Sequence, residues 1–153
     1  MLVSNSGQGG DSVVETMHIC EVEKLTQVFT YFDKRPLLVL LYGPMGAGKT
    51  TIVREYLKYL GYKGRVKSPT FTYEIVYDDL GVSHIDLYRL TGHETDIVDE
   101  IVDRLEAGYI VFIEWPDRLE EEIKDVEEEF STVKVHIDIE SEDCRSIQIE
   151  KVI

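Results

Sequence analysis

The chain has 153 residues, 43% of them apolar, with 30 acidic against 16 basic side chains and a formal charge of −14 at pH 7. That length and apolar share suit one ordinary domain with a single core, and the longest apolar run, Leu37 to Tyr42, falls far short of the roughly 20 residues a membrane span requires. The acidity sets the surface as a whole against phosphate backbones and anionic lipid, and points instead to solubility or to docking on a basic protein.

Residues 1–17 are rich in Ser and Gly over Met1 to Gly10, including Gly7-Gln8-Gly9-Gly10, and offer little apolar area to offset ordering entropy. They read as a mobile tail ahead of one domain over 18–153. Met1 to Gly10 have neither the basic start nor the apolar segment of a secretory signal, so the expected location is cytoplasmic. In a reducing compartment Cys20 and Cys144, which lack metal-ligand spacing, read as packing residues. From Glu21 to Phe32 the apolar residues Val22, Leu25, Val28, Phe29 and Phe32 recur at helical spacing. Pro36 breaks that pattern, and Leu37 to Tyr42 is apolar on both faces, as a central parallel strand covered by helices would be. After a glycine-rich loop, Ile52, Val53, Tyr56, Leu57 and Leu60 follow helical spacing up to Gly61. Lys63 to Pro69 read as a loop, and Phe71 to Tyr77 and Val82 to Leu87 as a β-hairpin turning at Asp78-Asp79-Leu80-Gly81. A helix with Ile97, Ile101, Val102 and Leu105 leads to a second buried strand, Tyr109 to Ile113. The acidic stretch Glu120 to Glu129 reads as a solvated face, and alternation at Val133 to Ile139 and Ser146 to Val152 predicts a last pair of strands. The expected class is α/β: a mostly parallel central sheet flanked by helices, with an antiparallel hairpin and C-terminal strands.

Gly43-Pro44-Met45-Gly46-Ala47-Gly48-Lys49-Thr50 has the form G-x-x-x-x-G-K-[ST] between a predicted strand and a predicted helix, the context that a P-loop demands. Glycines let backbone N–H groups of Gly43, Met45, Gly46, Ala47 and Gly48 face inward toward phosphate oxygens, and the following helix adds its positive end. Lys49 is suited to the β- and γ-phosphates, the Thr50 hydroxyl to magnesium, and Thr51 to the α-phosphate. The expected ligands are ATP and Mg2+. Glu114 ends a buried strand at the same sheet edge and is the leading carboxylate for the metal, while Asp86 ends a mixed strand and is suited to orienting the attacking water or to completing the metal's outer shell. Thr70, in Ser68-Pro69-Thr70-Phe71, is placed as a γ-phosphate sensor would be, a position a plain turn threonine occupies equally well. Trp115, the sole tryptophan, adjoins Glu114 as a lid, a partner contact or a core aromatic. His18, His84, His93 and His136 lack zinc-ligand spacing and read as ordinary residues.

Taken together, Gly46-Ala47-Gly48-Lys49-Thr50-Thr51, Lys67-Ser68-Pro69-Thr70-Phe71, His84-Ile85-Asp86-Leu87-Tyr88-Arg89-Leu90 and Ile113-Glu114-Trp115-Pro116-Asp117-Arg118 resemble, in order and spacing, the TsaE family of bacterial ATPases. The resemblance implies a P-loop ATPase serving threonylcarbamoyladenosine modification of tRNA, with Thr50 and Glu114 at magnesium positions, Asp86 needed for hydrolysis and Trp115 a functional aromatic near the nucleotide. It also implies TsaD and TsaB proteins as partners, with tRNA met only indirectly. Departures are Pro44-Met45 within the loop, Asp117 in place of a more usual Glu, and the N-terminal stretch. A GTPase is disfavoured because the chain's only asparagine is Asn5, leaving no Asn-Lys-x-Asp motif. A P-loop small-molecule kinase would need an arginine-bearing lid, whereas the arginines here are dispersed. A nucleotide-dependent switch with little turnover overlaps with the favoured reading.

Overall fold

The computed structural model describes residues 2–5, 12–69, 72–90 and 96–152. Among these, strands β1 (Leu2–Asn5), β2 (Ser12–Ile19), β3 (Leu37–Tyr42), β4 (Glu74–Tyr77), β5 (Val82–Asp86), β6 (Ile110–Glu114), β7 (Thr132–Ile139) and β8 (Arg145–Val152) form one eight-stranded sheet in the order β1-β2-β8-β7-β3-β6-β5-β4. The central strands β7, β3, β6 and β5 are parallel. Antiparallel β4 closes one side, and antiparallel β8, β2 and β1 extend the other. The α/β class expected from the sequence is the one observed, with its hairpin and C-terminal strands at opposite ends of the parallel centre.

Strand alternation divides the core into two layers, because successive side chains of a strand point to opposite faces. Leu37, Val39 and Leu41 of β3 meet the layer holding Ile52, Val53, Tyr56 and Leu57 of α2 (Lys49–Tyr59), together with Val28 and Phe29 of the short helix α1 (Thr26–Phe29). Leu38 and Leu40 face the other way, toward Ile97, Ile101 and Leu105 of α3 (Ile97–Glu106) and Ile123 and Val126 of α4 (Glu120–Glu129). Helix α4 is thus the acidic stretch, solvated along most of its surface and anchored by two buried residues. The helix expected from Glu21 to Phe32 is shorter: a 3-10 turn at Val22–Leu25 runs into α1. Phe32 lies beyond α1, with its ring edge-on to Tyr56 and Phe112 at centroid distances of 5.3 and 5.4 Å.

Two expectations need correction. Within 1–17, expected to be a mobile tail, Leu2–Asn5 form β1 and Ser12–Met17 belong to β2, which pairs with β1 and, from Ser12↔Val152 to Ile19↔Arg145, with β8. Early Ser and Gly obscured an edge that buries Met17 and Ile19 on the α2 side of the sheet. Cys20 and Cys144, read as packing residues, form a disulfide. The β2–β8 register places them side by side immediately beyond Ile19↔Arg145, although 124 residues separate them in sequence.

Candidate functional site

The loop Gly43 to Gly48 joins β3 to α2 at the carboxyl edge of the parallel strands, the edge where ligands bind in open α/β sheets. At Gly43 an added Cβ would lie 2.6 Å from the Ile137 carbonyl oxygen, and at Gly48 the backbone is left-handed, with φ +116°. Both positions favour glycine, one for close approach and the other for conformation. Pro44, Met45 and Gly46 are exposed while Ala47 is buried, so Met45 can contribute to a phosphate cradle through its main chain, its side chain being 65% exposed. The Arg145 Nε–H donates to the Ala47 carbonyl at 2.8 Å and braces the loop from β8.

Lys49 opens α2, and its Nζ donates to the Gly43 carbonyl at 2.5 Å. Burial lowers the Lys49 pKa, and the nearby carboxylates Glu114, Asp86 and Asp117 oppose that shift. A desolvated ammonium at a helix N-terminus is a site that gains by meeting an anion. Next along α2, the Thr50 hydroxyl donates to Glu114 Oε2 at 2.8 Å. Thr51 follows one residue later, its hydroxyl accepting from Arg54 at 3.3 Å.

The acids arrive from adjacent parallel strands, where Asp86 of β5 pairs in register with Glu114 of β6. Alternation turns both toward the α2 side, the side that Val82 and Phe112 share. Burial raises the Asp86 pKa, and the Glu114 charge raises it further, while the Tyr88 backbone N–H, bonded to Asp86 Oδ1 at 2.9 Å, acts to lower it. Hydroxyl and carboxylate oxygens are donors suited to magnesium. Among the described residues no cluster of three or more His, Cys, Asp or Glu could cage a metal. Such a donor set fits an ion held jointly with phosphates.

Trp115 follows Glu114 with φ 58°, and Tyr73 has φ 50°; these are the two non-glycine residues with positive φ among those described. Tyr73 accepts the Asp86 backbone N–H at 2.8 Å, so both strained positions border the acids, where such conformations tend to concentrate. The Trp115 ring lies 3.8 Å from Lys49 Nζ, a cation–π contact, and packs on Tyr88 with centroids 5.0 Å apart. Lys49, Thr50, Asp86, Glu114 and Trp115 are therefore brought together, while Thr70 lies outside the described residues. Beside the loop, a cavity of about 290 Å³ is lined by Cys20, Leu25, Gly48, Thr51 and Arg145 among others.

Sequence reasoning missed His84. Its ring is fully buried, and Nε2 is 2.6 Å from Glu114 Oε2. The usable signal was its position two residues before Asp86 on one strand, which places both on one face; zinc-ligand spacing does not mark it. Arg145 was also missed, since nothing local in β8 marks it as a brace for a loop 98 residues away.

A family model described as "Threonylcarbamoyl adenosine biosynthesis protein TsaE" matches residues 16–147. Over 87 residues, 56% of the chain, the sequence is 39% identical to the tRNA threonylcarbamoyladenosine biosynthesis protein TsaE of Haemophilus influenzae and covers 55% of that protein. The TsaE protein of Streptomyces coelicolor is 38% identical over 56% of the chain and 61% of its own length. That of Bacillus subtilis is 31% identical over 67% of the chain and 65% of its own length. The matched stretch thus spans between half and two thirds of these relatives. The crystal structure of Bacillus subtilis YdiB superposes with a TM-score of 0.68 at 22% identity, covering 92% of this chain and 86% of that one, a likeness of fold.

Proposed function

We propose that this chain, which belongs to the TsaE family of tRNA threonylcarbamoyladenosine biosynthesis, binds ATP with magnesium and hydrolyses it as the accessory ATPase of a TsaD–TsaB complex. The observation that carries this reading is the meeting, at one sheet edge, of Lys49 and Thr50 from the helix N-terminus with Asp86 and Glu114 from adjacent strands. In this reading the main-chain donors from Gly43 to Gly48 and the Lys49 ammonium hold the phosphates. The cavity beside Gly48 and Thr51 receives the sugar and base. Thr50 and Glu114 hold magnesium, which when bound would neutralise charge developing on the phosphate oxygens. Asp86 orients water for attack on the γ-phosphorus, breaking its bond to the bridging oxygen and releasing ADP and phosphate. Thr70 is assigned the role of γ-phosphate sensor. The site lies in the cytoplasm, and tRNA is met through the partner proteins.

Isothermal calorimetry with Mg·ATP and Mg·ADP tests the nucleotide site. Phosphate release with and without TsaD and TsaB tests the role, with slow turnover expected alone and faster turnover in the complex. No heat with either nucleotide, or a phosphoryl group passed to a metabolite, would overturn the reading. Trp115 favours a second, overlapping reading, a nucleotide-dependent binding switch. A phosphate taking up Lys49 would compete with the Trp115 contact and so alter a surface that includes Tyr88 and Arg118. Nucleotide-dependent binding to the partners without turnover would favour the switch over the ATPase.

A further inference from the structure

The Glu114 carboxylate is held from two sides through one oxygen. Oε2 accepts from the Thr50 hydroxyl at 2.8 Å and lies 2.6 Å from His84 Nε2. The two partners differ in kind. Thr50 sits on α2, where its hydroxyl is the group assigned to the metal, so its bond to Glu114 is exchangeable. His84 is fixed in β5, fully buried, with its backbone in the parallel ladder to β6. Among the described residues its Nδ1 is buried with no hydrogen-bond partner. A hydrogen on Nδ1 would be a buried donor with no acceptor among the described residues, whereas a hydrogen on Nε2 meets a carboxylate at close range. Geometry therefore assigns the ring hydrogen to Nε2, donating to Glu114. An apolar ring would fill the same space without leaving a buried nitrogen bare, so packing alone gives no reason for histidine here.

We propose that His84 is a positioning residue for the nucleotide-bound metal: its Nε2–H holds Glu114 Oε2 and keeps the carboxylate oriented when Thr50 exchanges that oxygen for the ion. This deepens the nucleotide reading above and rests on it. Groups that orient a metal-binding carboxylate typically contribute about 10- to 100-fold to metal affinity.

The test measures Mn2+ binding to the protein–ADP complex by electron paramagnetic resonance, alongside ADP affinity in EDTA by calorimetry. His84→Phe keeps an aromatic ring and removes the donor; His84→Gln places an amide N–H near the position of Nε2. Expected are a loss of about tenfold or more in Mn2+ affinity for His84→Phe, metal-free ADP affinity within about twofold of wild type, and substantial recovery in His84→Gln. Unchanged Mn2+ affinity in folded His84→Phe, equal losses of metal and metal-free ADP affinity, or no recovery in His84→Gln overturns the proposal. Should His84→Phe fail to fold, 15N spectra of the wild-type histidines decide: a hydrogen on Nε2 of His84 supports the assignment, and one on Nδ1 overturns it. Wild-type protein that binds no ADP in either condition instead overturns the nucleotide reading itself, and this proposal with it.

Discussion

The α2-facing side of the β5–β6 pair is divided along its length. Val82, Ile110 and Phe112, from the amino-terminal end to the middle of the pair, are fully buried and apolar; from His84, which pairs in register with Phe112, to Asp86 and Glu114 at the carboxyl end, exposure is 0%, 8% and 4%, nearly as deep. Equal burial with opposite chemistry separates the work of the two ends. The lower end holds the fold together by excluding water. The upper end places Asp86 where burial penalises its charge and raises its pKa, facing Lys49 of α2, whose pKa burial lowers. Perturbation of this kind in a cleft is a mark of a functional site.

Substitutions at the two ends should therefore move different quantities. The largest expected effect is at the lower end: Phe112→Ala removes a ring packed against Phe32 and Tyr56 and should lower unfolding free energy by about 3–5 kcal/mol, read by urea denaturation. Lys49→Ala should leave stability near wild type and weaken Mg·ATP at least about 100-fold, roughly 2.7 kcal/mol, by calorimetry. A comparable loss of stability in Lys49→Ala would erase the division between the two ends.

Asp86→Asn keeps an acceptor for the Tyr88 N–H and removes the charge. It should retain nucleotide binding, lose most turnover in the partner-stimulated assay, and raise stability by about 1 kcal/mol at pH 7. The pH dependence sharpens this. The folded-state Asp86 pKa lies above its unfolded value, so the destabilising contribution of this one group is relieved as pH falls through the carboxylate range and the folded state takes up its proton first. The advantage of Asp86→Asn in thermal melts should accordingly be full at pH 7 and shrink toward pH 4. An advantage independent of pH would locate its cause elsewhere than in the buried charge. The smallest effect belongs to Met45→Ala: an exposed side chain on a loop that contributes its backbone should change Mg·ATP affinity by less than about twofold.

Much of this site was legible in order along the chain. The phosphate loop is a contiguous pattern whose glycines and helix start are local, and Leu37 to Tyr42 and Tyr109 to Ile113 read as buried strands because they are apolar on both faces, within one residue of the observed β3 and β6. Asp86 and Glu114 followed from strand ends at a shared edge. Less legible was whatever depended on an unlike neighbour. His84 looked ordinary because its partner is on another strand, and β2 looked like a tail because β8, which pairs along its full length, is at the far end of the chain.

The sequence by itself determined the α/β class, the two buried strands and the residue types at the sheet edge, since periodicity and a contiguous loop motif are short-range properties of the chain. Only the tertiary structure decided that Glu114 meets Thr50 across 64 residues and His84 across 30, and that Cys20 bonds Cys144 across 124. Those contacts depend on strand order and register. Both are set by how the whole sheet buries its two faces, and no local period in the chain records that choice.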